Sequence, residues 1–505
     1  MKHIVICSDG TGNTTIKGRG TNVFKLFEAV DVIGHKEDPI RPKGLGDFFF
    51  RTDTRIKKIP QIAFYDDGVG TESFMLPKVL GGMAGWGLGR NVKELYTALA
   101  RVYEPGDTLF LFGFSRGAFT VRTLAGMIAH CGIVDVSRSE FRTKAALDRA
   151  IKTIYREYRK RYRTVLGKLI WGEGSDKSFQ FSQAHRVSHP EFAPDGRIEI
   201  EFLGVWDTVD AVGLPFHLSG FINNVFWRFK FPDPCLNQQI KHACHALAID
   251  DERHSFEPVL WDEENRKPGR IEQVWFAGAH SNVGGGYPRQ GMSLVSLDWM
   301  MRKAEDHGLR FLPEVRALYR ALQNVDDKLY DPRAGFGIFY RWKPRDIQQL
   351  CRQHHLRPTL HMSTIERIVH STEGYAPGNI PPDCDIVETA GENSALAKSR
   401  AVQSVLRTSH ATRVGRADLP LLDELSIALK LGRASYYLFL VTVVAGLVIA
   451  DLHVAKEVGC DIRLWLGVLA GLLGAGVLAY WTDARFSRVC SDFWYKARQD
   501  LKRVL

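Results

Sequence analysis

Short apolar runs recur through the first 300 residues, and segments with helical spacing alternate with them. Residues 4–7 and 61–65 read as buried strands, the second running into the turn Asp66-Asp67-Gly68. Residues 91–102 have the spacing of a helix. Residues 108–112 are apolar without interruption, the signature of a strand covered on both faces. Residues 118–130 read as a helix, 198–206 as a strand, 239–248 as a helix, 271–276 as a strand and 294–306 as a helix. Strands alternating with helices predict an α/β fold, a mostly parallel sheet flanked by helices on both faces. Ligand chemistry in such sheets lies beyond the C-terminal strand ends.

Several stretches break this rhythm. Between 141 and 171, Leu147, Ile151, Ile154, Tyr155, Tyr158 and Tyr162 recur at helical spacing while Lys152, Arg156, Arg159, Lys160 and Arg163 fill much of the rest. That is a basic amphipathic helix, either an ordinary packed helix or a lid that touches a membrane. Residues 214–231 are rich in aromatics, including Phe216, Phe226 and Trp227, and read equally as core or as the lining of an acyl pocket. From 311 to about 420 the period weakens into a helical and loop subdomain. Residues 434–450 and 464–481 then carry no charge, and each is about the length that crosses a bilayer core. Lys430 and Arg433 before the first run, and Arg485, Arg488 and Lys496 after the second, predict both ends of this hairpin in the cytoplasm. Gly467, Gly471, Gly474 and Gly476 suit close helix packing.

Composition narrows the picture further. A formal net charge of +10 calls for an anionic partner. No nucleic-acid module is recognisable, so the expected partner is an anionic phospholipid surface rather than nucleic acid. The eight cysteines include no C-x-x-C pair, and nothing in their scatter reads as a disulfide framework. His242 and His245 flank Cys244, but on an expected helix they read as surface rather than as metal ligands. The apolar run at the N-terminus is too short for a signal peptide and reads as a first strand.

The strongest motif is Gly113-Phe114-Ser115-Arg116-Gly117. An apolar strand runs straight into it and a helix runs straight out, which is the setting of a nucleophile elbow in an α/β-hydrolase. A serine hydroxyl needs a base, and a histidine held by a carboxylate supplies one. The chain order in this fold is serine, acid, histidine. Asp207, at the end of the 198–206 strand, is the expected acid, and Asp210 the rival. His280, just past the 271–276 strand, is the expected base, and His254 the alternative. Two backbone N–H groups must hold the oxyanion. Arg116 supplies one, and the loop Ser8-Asp9-Gly10-Thr11-Gly12-Asn13 supplies the other from Gly10 or Thr11. No metal and no other cofactor is expected for this chemistry.

These motifs, with Gly204-Val205-Trp206-Asp207, Asp251-Glu252-Arg253 and Gly278-Ala279-His280-Ser281-Asn282, resemble the catalytic domain of type VI secretion lipase effectors and their uncharacterised relatives. The resemblance covers about residues 1–310. It implies an α/β-hydrolase fold, phospholipase-type ester hydrolysis, and the roles of nucleophile, acid and base for Ser115, Asp207 and His280.

The expected organisation is a catalytic domain over 1–310 with an insertion at about 135–197, a subdomain over 311–430, a transmembrane hairpin over 431–488 and a cytoplasmic tail over 489–505. The expected protein is a two-pass membrane serine hydrolase acting on lipid esters from the cytoplasmic side, with its membrane helices available as an oligomer contact. The alternative is a catalytically silent, membrane-anchored scaffold or sensor on the same fold.

Overall fold

A computed structural model of the chain describes residues 1–10, 20–32, 59–68, 84–141, 143–160, 197–209, 235–264, 269–388, 393–414, 421–454 and 462–505. The chain divides into two units. The first comprises Met1–Ala248, Pro258–Lys328 and His354–Leu356; the second comprises Ile249–Glu257, Leu329–Gln353 and Arg357–Leu505.

The first unit is built on a parallel sheet. Its strands are β1 His3–Ser8, β2 Gln61–Asp66, β3 Thr108–Phe114, β4 Ile200–Trp206, β5 Ile240–Ala248 and β6 Ile271–Phe276. They lie in the order β2-β1-β3-β4-β5-β6, and each neighbouring pair is parallel. The helices are α1 Asn22–Ala29, α2 Ala84–Val102, α3 Arg116–Cys131, α4 Lys144–Lys160, α5 His280–Gly284, α6 Gly291–Asp306 and α7 Pro313–Ala321. Alternate strand residues serve opposite layers. Ile4, Ile6, Leu109, Leu111, Leu203 and Val205 join α2, α3 and α4 in one core. On the other face α1 packs on β1, β2 and β3, and α6 packs on β4 and β5. The expected α/β class therefore holds.

Residues 239–248, expected as a helix, form β5 instead. Three alanines within Ile240–Ala248 favour a helix locally. The strand lies between β4 and β6, however, and everything from Ala243 to Ala248 is buried. Small side chains fit a strand covered on both faces, and tertiary pairing overrides local preference. His242 and His245 consequently point from a strand rather than a helix surface. The basic segment is helical over Lys144–Lys160, with Lys152 and Arg156 exposed and Ile151, Ile154 and Tyr158 buried. Residues 161–171 and the aromatic stretch 214–231 lie outside the described residues.

The second unit contains α8 Ile347–Gln353, a parallel strand pair β7 Thr359–His361 and β8 Asp385–Val387, α9 Met362–His370, α10 Asn393–Val414, α11 Leu421–Glu424, α12 Ser426–Val454 and α13 Ile462–Val504. Both long apolar runs are helical, and α12 and α13 pack along each other. Gly471 and Gly474 face Thr442 and Leu438 across this contact, whereas Gly467 and Gly476 have open space around them. Ser435 donates to the Ala475 carbonyl at 2.8 Å. Residues 489–505 continue α13, and Cys490, Phe493, Trp494, Ala497 and Leu501 are buried there.

Candidate active site

Strand β3 is buried throughout its apolar stretch and delivers the chain into Ser115, which has φ 58° and ψ −121°. A positive φ in a residue other than glycine is strained, and such strain collects where side-chain aim matters. Helix α3 begins at the next residue. A serine before a helix ordinarily caps it with its hydroxyl. Ser115 makes no side-chain cap bond, so its hydroxyl is not committed to the helix. Its amide donates to the Trp206 carbonyl at 3.1 Å, which ties the elbow to the end of β4. Gly117 is required for this approach, because a Cβ there would collide with the Ser8 carbonyl at the end of β1.

Asp207 is the first residue after β4 and is fully buried. It too has a positive φ, 37°. Its amide donates to the Ala246 carbonyl at 2.8 Å, and its Oδ1 accepts from the Ala248 amide at 3.0 Å. Its Oδ2 lies 2.6 Å from His280 Nδ1. His280 opens α5 just beyond β6, and its ring packs on Phe114 with centroids 4.6 Å apart. Gly284, one turn further on, leaves room for that same Phe114 ring. The neighbour of Ser115 thus seats the helix that carries His280. An imidazole that gives its Nδ1 proton to a carboxylate keeps a lone pair on Nε2, which is the form a base needs.

The structure therefore brings Asp207 to His280, and seats the His280 ring on Phe114, the residue before Ser115. The alternative base His254 falls in the second unit, in the 3-10 turn His254–Phe256, where its amide donates to the Arg341 carbonyl. The motif around it is held by Arg253, which makes a two-pronged contact with buried Asp251 and lies over Phe256. Asp210 and Thr11 lie outside the described residues.

Arg116 heads α3, where backbone N–H groups favour negative charge. The Gly10 amide is differently placed. It donates to Asp9 Oδ1 at 2.6 Å and so is committed to a side chain in this state. Asp9 Oδ2 accepts from Thr21 at 2.5 Å and from Tyr65 at 2.8 Å. Burial, together with Asp9, holds the Tyr65 phenol well above its ordinary range. Burial also lowers Lys25 to about 8 against the pull of Asp9. Next to Asp9, Ser8 donates to Asp66 at 2.9 Å, and Asn91 donates to the same carboxylate.

Two residues that sequence reasoning did not place here also shape the site. His245, fully buried on β5, accepts the Thr208 amide at 3.1 Å and so holds the backbone just after Asp207. Asn22 donates to the carbonyls of Val283 and Ser293, linking the start of α1 to the helix of His280. His245 is interior because β5 is covered on both faces from Ala243 to Ala248. Nothing local marks Asn22, whose partners are more than 250 residues away.

A family profile described as T6SS phospholipase effector Tle1-like, catalytic domain, matches residues 2–303. The chain belongs to this Tle1-like family. The family supports a lipase- or phospholipase-like, ester-hydrolysing function. The matched span holds Ser115, Asp207 and His280 and ends before α12 and α13 begin. An uncharacterised protein of Saccharomyces cerevisiae, YEL023C, is 24% identical over 276 residues, covering 52% of this chain. The match spans only 33% of that protein's length. A crystal structure of an uncharacterised protein from Pseudomonas aeruginosa is similar at 18% identity, covering 86% of this chain and 67% of that one, with a TM-score of 0.35. A structure of the Tle1 effector bound to the VgrG spike of the type VI secretion system is similar at 14% identity, covering 68% and 81%, also at 0.35.

Proposed function

We propose that this Tle1-like chain is a membrane-anchored serine hydrolase that cleaves carboxylic esters of lipids. The carrying observation is the 2.6 Å contact between His280 Nδ1 and buried Asp207, beside the strained turn at Ser115. In this reading His280 Nε2 takes the Ser115 proton as Oγ attacks the ester carbonyl. The carbonyl electrons move onto oxygen, where the amides of Arg116 and Thr11 receive them. Collapse breaks the bond to the alcohol, which leaves with the proton from His280. Water, activated by the same imidazole, then releases the acid and restores Ser115. Asp207 orients His280 and balances the imidazolium.

The anchoring part rests on α12 and α13. Their most apolar 18-residue windows have a mean hydropathy of 1.9, and only 17% and 6% of each window is buried in protein. Val441, Leu447 and Val477 are all about two-thirds exposed. So much apolar surface in water is unfavourable, and a bilayer removes the penalty. The flanking cations favour both helix ends, and the catalytic unit with them, on the cytoplasmic side.

A fluorophosphonate probe, which reacts with activated serines, tests the chemistry directly. Labelling of wild type, absent in Ser115→Ala, together with Ser115-dependent release of fatty acid from phospholipid vesicles, is expected. Absence of labelling in a folded wild type would remove the hydrolase reading in favour of a silent scaffold.

A further inference from the structure

At the opposite end of the sheet from Ser115, three residues from three separate elements converge. Glu201 lies near the start of β4, His242 near the start of β5, and His307 just past the end of α6. One donor atom of each lies within 4.8 Å of the other two. The two imidazoles stack, with centroids 3.6 Å apart and planes 25° apart. Glu201 Oε1 lies 3.9 Å from His307 Nδ1. We propose that Glu201, His242 and His307 form a binding site for a divalent transition metal of the zinc class, apart from the catalytic centre.

The donor chemistry selects the ion. Two imidazoles and one carboxylate suit zinc and its neighbours, whereas calcium and magnesium prefer sets made of oxygen alone. Donors about 2.0–2.2 Å from a tetrahedral zinc lie about 3.3 Å apart, so the donor atoms are already near ligand spacing, and the stacked rings must turn for both lone pairs to meet one ion. The carboxylate is already oriented for the task. Lys241 holds Glu201 Oε2 at 3.0 Å, which leaves Oε1 turned towards His307. Such outer partners fix the direction of a ligand. Burial lowers the pKa of both histidines, and on His307 the neighbouring His242 adds to the fall. Bound metal would fasten β4, β5 and the end of α6 to one another. The three residues are too far apart in sequence to form any recognisable spacing.

The test uses the full-length chain in detergent, with zinc as the probe. Calorimetric titration is expected to give one site per chain, and zinc is expected to raise Tm reversibly with chelator, since a ligand that binds only the folded state stabilises it. Loss of an outer partner alone costs about 10–100-fold in metal affinity, so His242→Asn and His307→Asn should each lose at least that much. His355→Ala serves as a control, because Asp262, Glu264 and His355 form a second, more exposed cluster. Unchanged affinity in both histidine variants, or loss only in His355→Ala or His280→Ala, would overturn the proposal. Cobalt(II) on the unmutated chain gives a readout independent of how variants fold. Intense tetrahedral visible bands support the site, and the faint spectrum of aqueous cobalt overturns it.

Discussion

Replacing Asp207 with asparagine tests the proposed mechanism at its most constrained atom. The carboxylate is fully buried and accepts on both oxygens, from His280 Nδ1 at 2.6 Å and from the Ala248 amide at 3.0 Å. An amide of the same shape accepts on one side only. If the carbonyl of Asn faces His280, its NH2 is driven against the Ala248 N–H, and buried unsatisfied donors cost about 1–3 kcal/mol. If the side chain flips, Ala248 is satisfied but the NH2 points at Nδ1. The imidazole must then carry its proton on Nε2, where the lone pair is needed. The flipped form is favoured by that same 1–3 kcal/mol, a factor of roughly 5–150 in population. We therefore expect kcat to fall by about 10³–10⁴, close to the loss seen when a triad base is held in the wrong tautomer. The assay is single-turnover hydrolysis of a small soluble ester, with thermal unfolding as the control for fold. A Tm near that of wild type with less than a tenfold loss in kcat would refute both the role of Asp207 and the tautomer argument.

Ser115→Gly should be inactive yet more stable than wild type, by about 1 kcal/mol, because glycine accepts the positive φ without strain; equal or lower stability in denaturant titration would count against a strained elbow. Asp9→Asn should destabilise by about 1–3 kcal/mol, since three donors converge on that carboxylate, and should lower kcat more than it changes KM if the loop it holds supports the oxyanion. Wild type should resist alkaline carbonate extraction from membranes, and release into the supernatant would sink the anchoring reading. Reversing Lys152 and Arg156 to glutamate should slow hydrolysis of anionic vesicles but spare a soluble ester, as each basic residue near such a surface is worth about 1 kcal/mol; equal losses on both substrates would make α4 purely structural.

The most legible part of the fold was the one where local and tertiary signals agree. Residues 108–112 are apolar without a break because β3 is covered on both faces, and Gly113 and Gly117 frame the turn that follows. The order of Ser115, Asp207 and His280 could be read because each sits at a strand end, where the pattern changes abruptly. Residues 239–248 carry a local helix signal because alanine favours a helix in isolation, while the neighbouring strands decide in the folded chain. The capture of the Gly10 amide by Asp9 was invisible for another reason. Gly10 is a plausible oxyanion donor by position, and only the side-chain torsion of its neighbour shows that the donor is engaged. His245, Asn22 and the cluster of Glu201, His242 and His307 depend on contacts across tens to hundreds of residues, which no local pattern records.

Helix α13 runs unbroken for 43 residues. At about 1.5 Å per residue it is about 64 Å long, roughly twice the hydrocarbon thickness of a bilayer. Its first half carries the exposed apolar surface, and its second half carries Phe493, Trp494 and Leu501 into the interior of the second unit. Between Thr482 and Val504 there is neither proline nor glycine, so the usual causes of a kink are missing. Under the proposed anchoring, with its first half in lipid, the helix would act as a stiff lever whose far end is cast into protein. On that reading, a tilt imposed by a thinner or thicker membrane would not be absorbed at a hinge and would be carried to the packing around Trp494, coupling the second unit to the thickness of the bilayer.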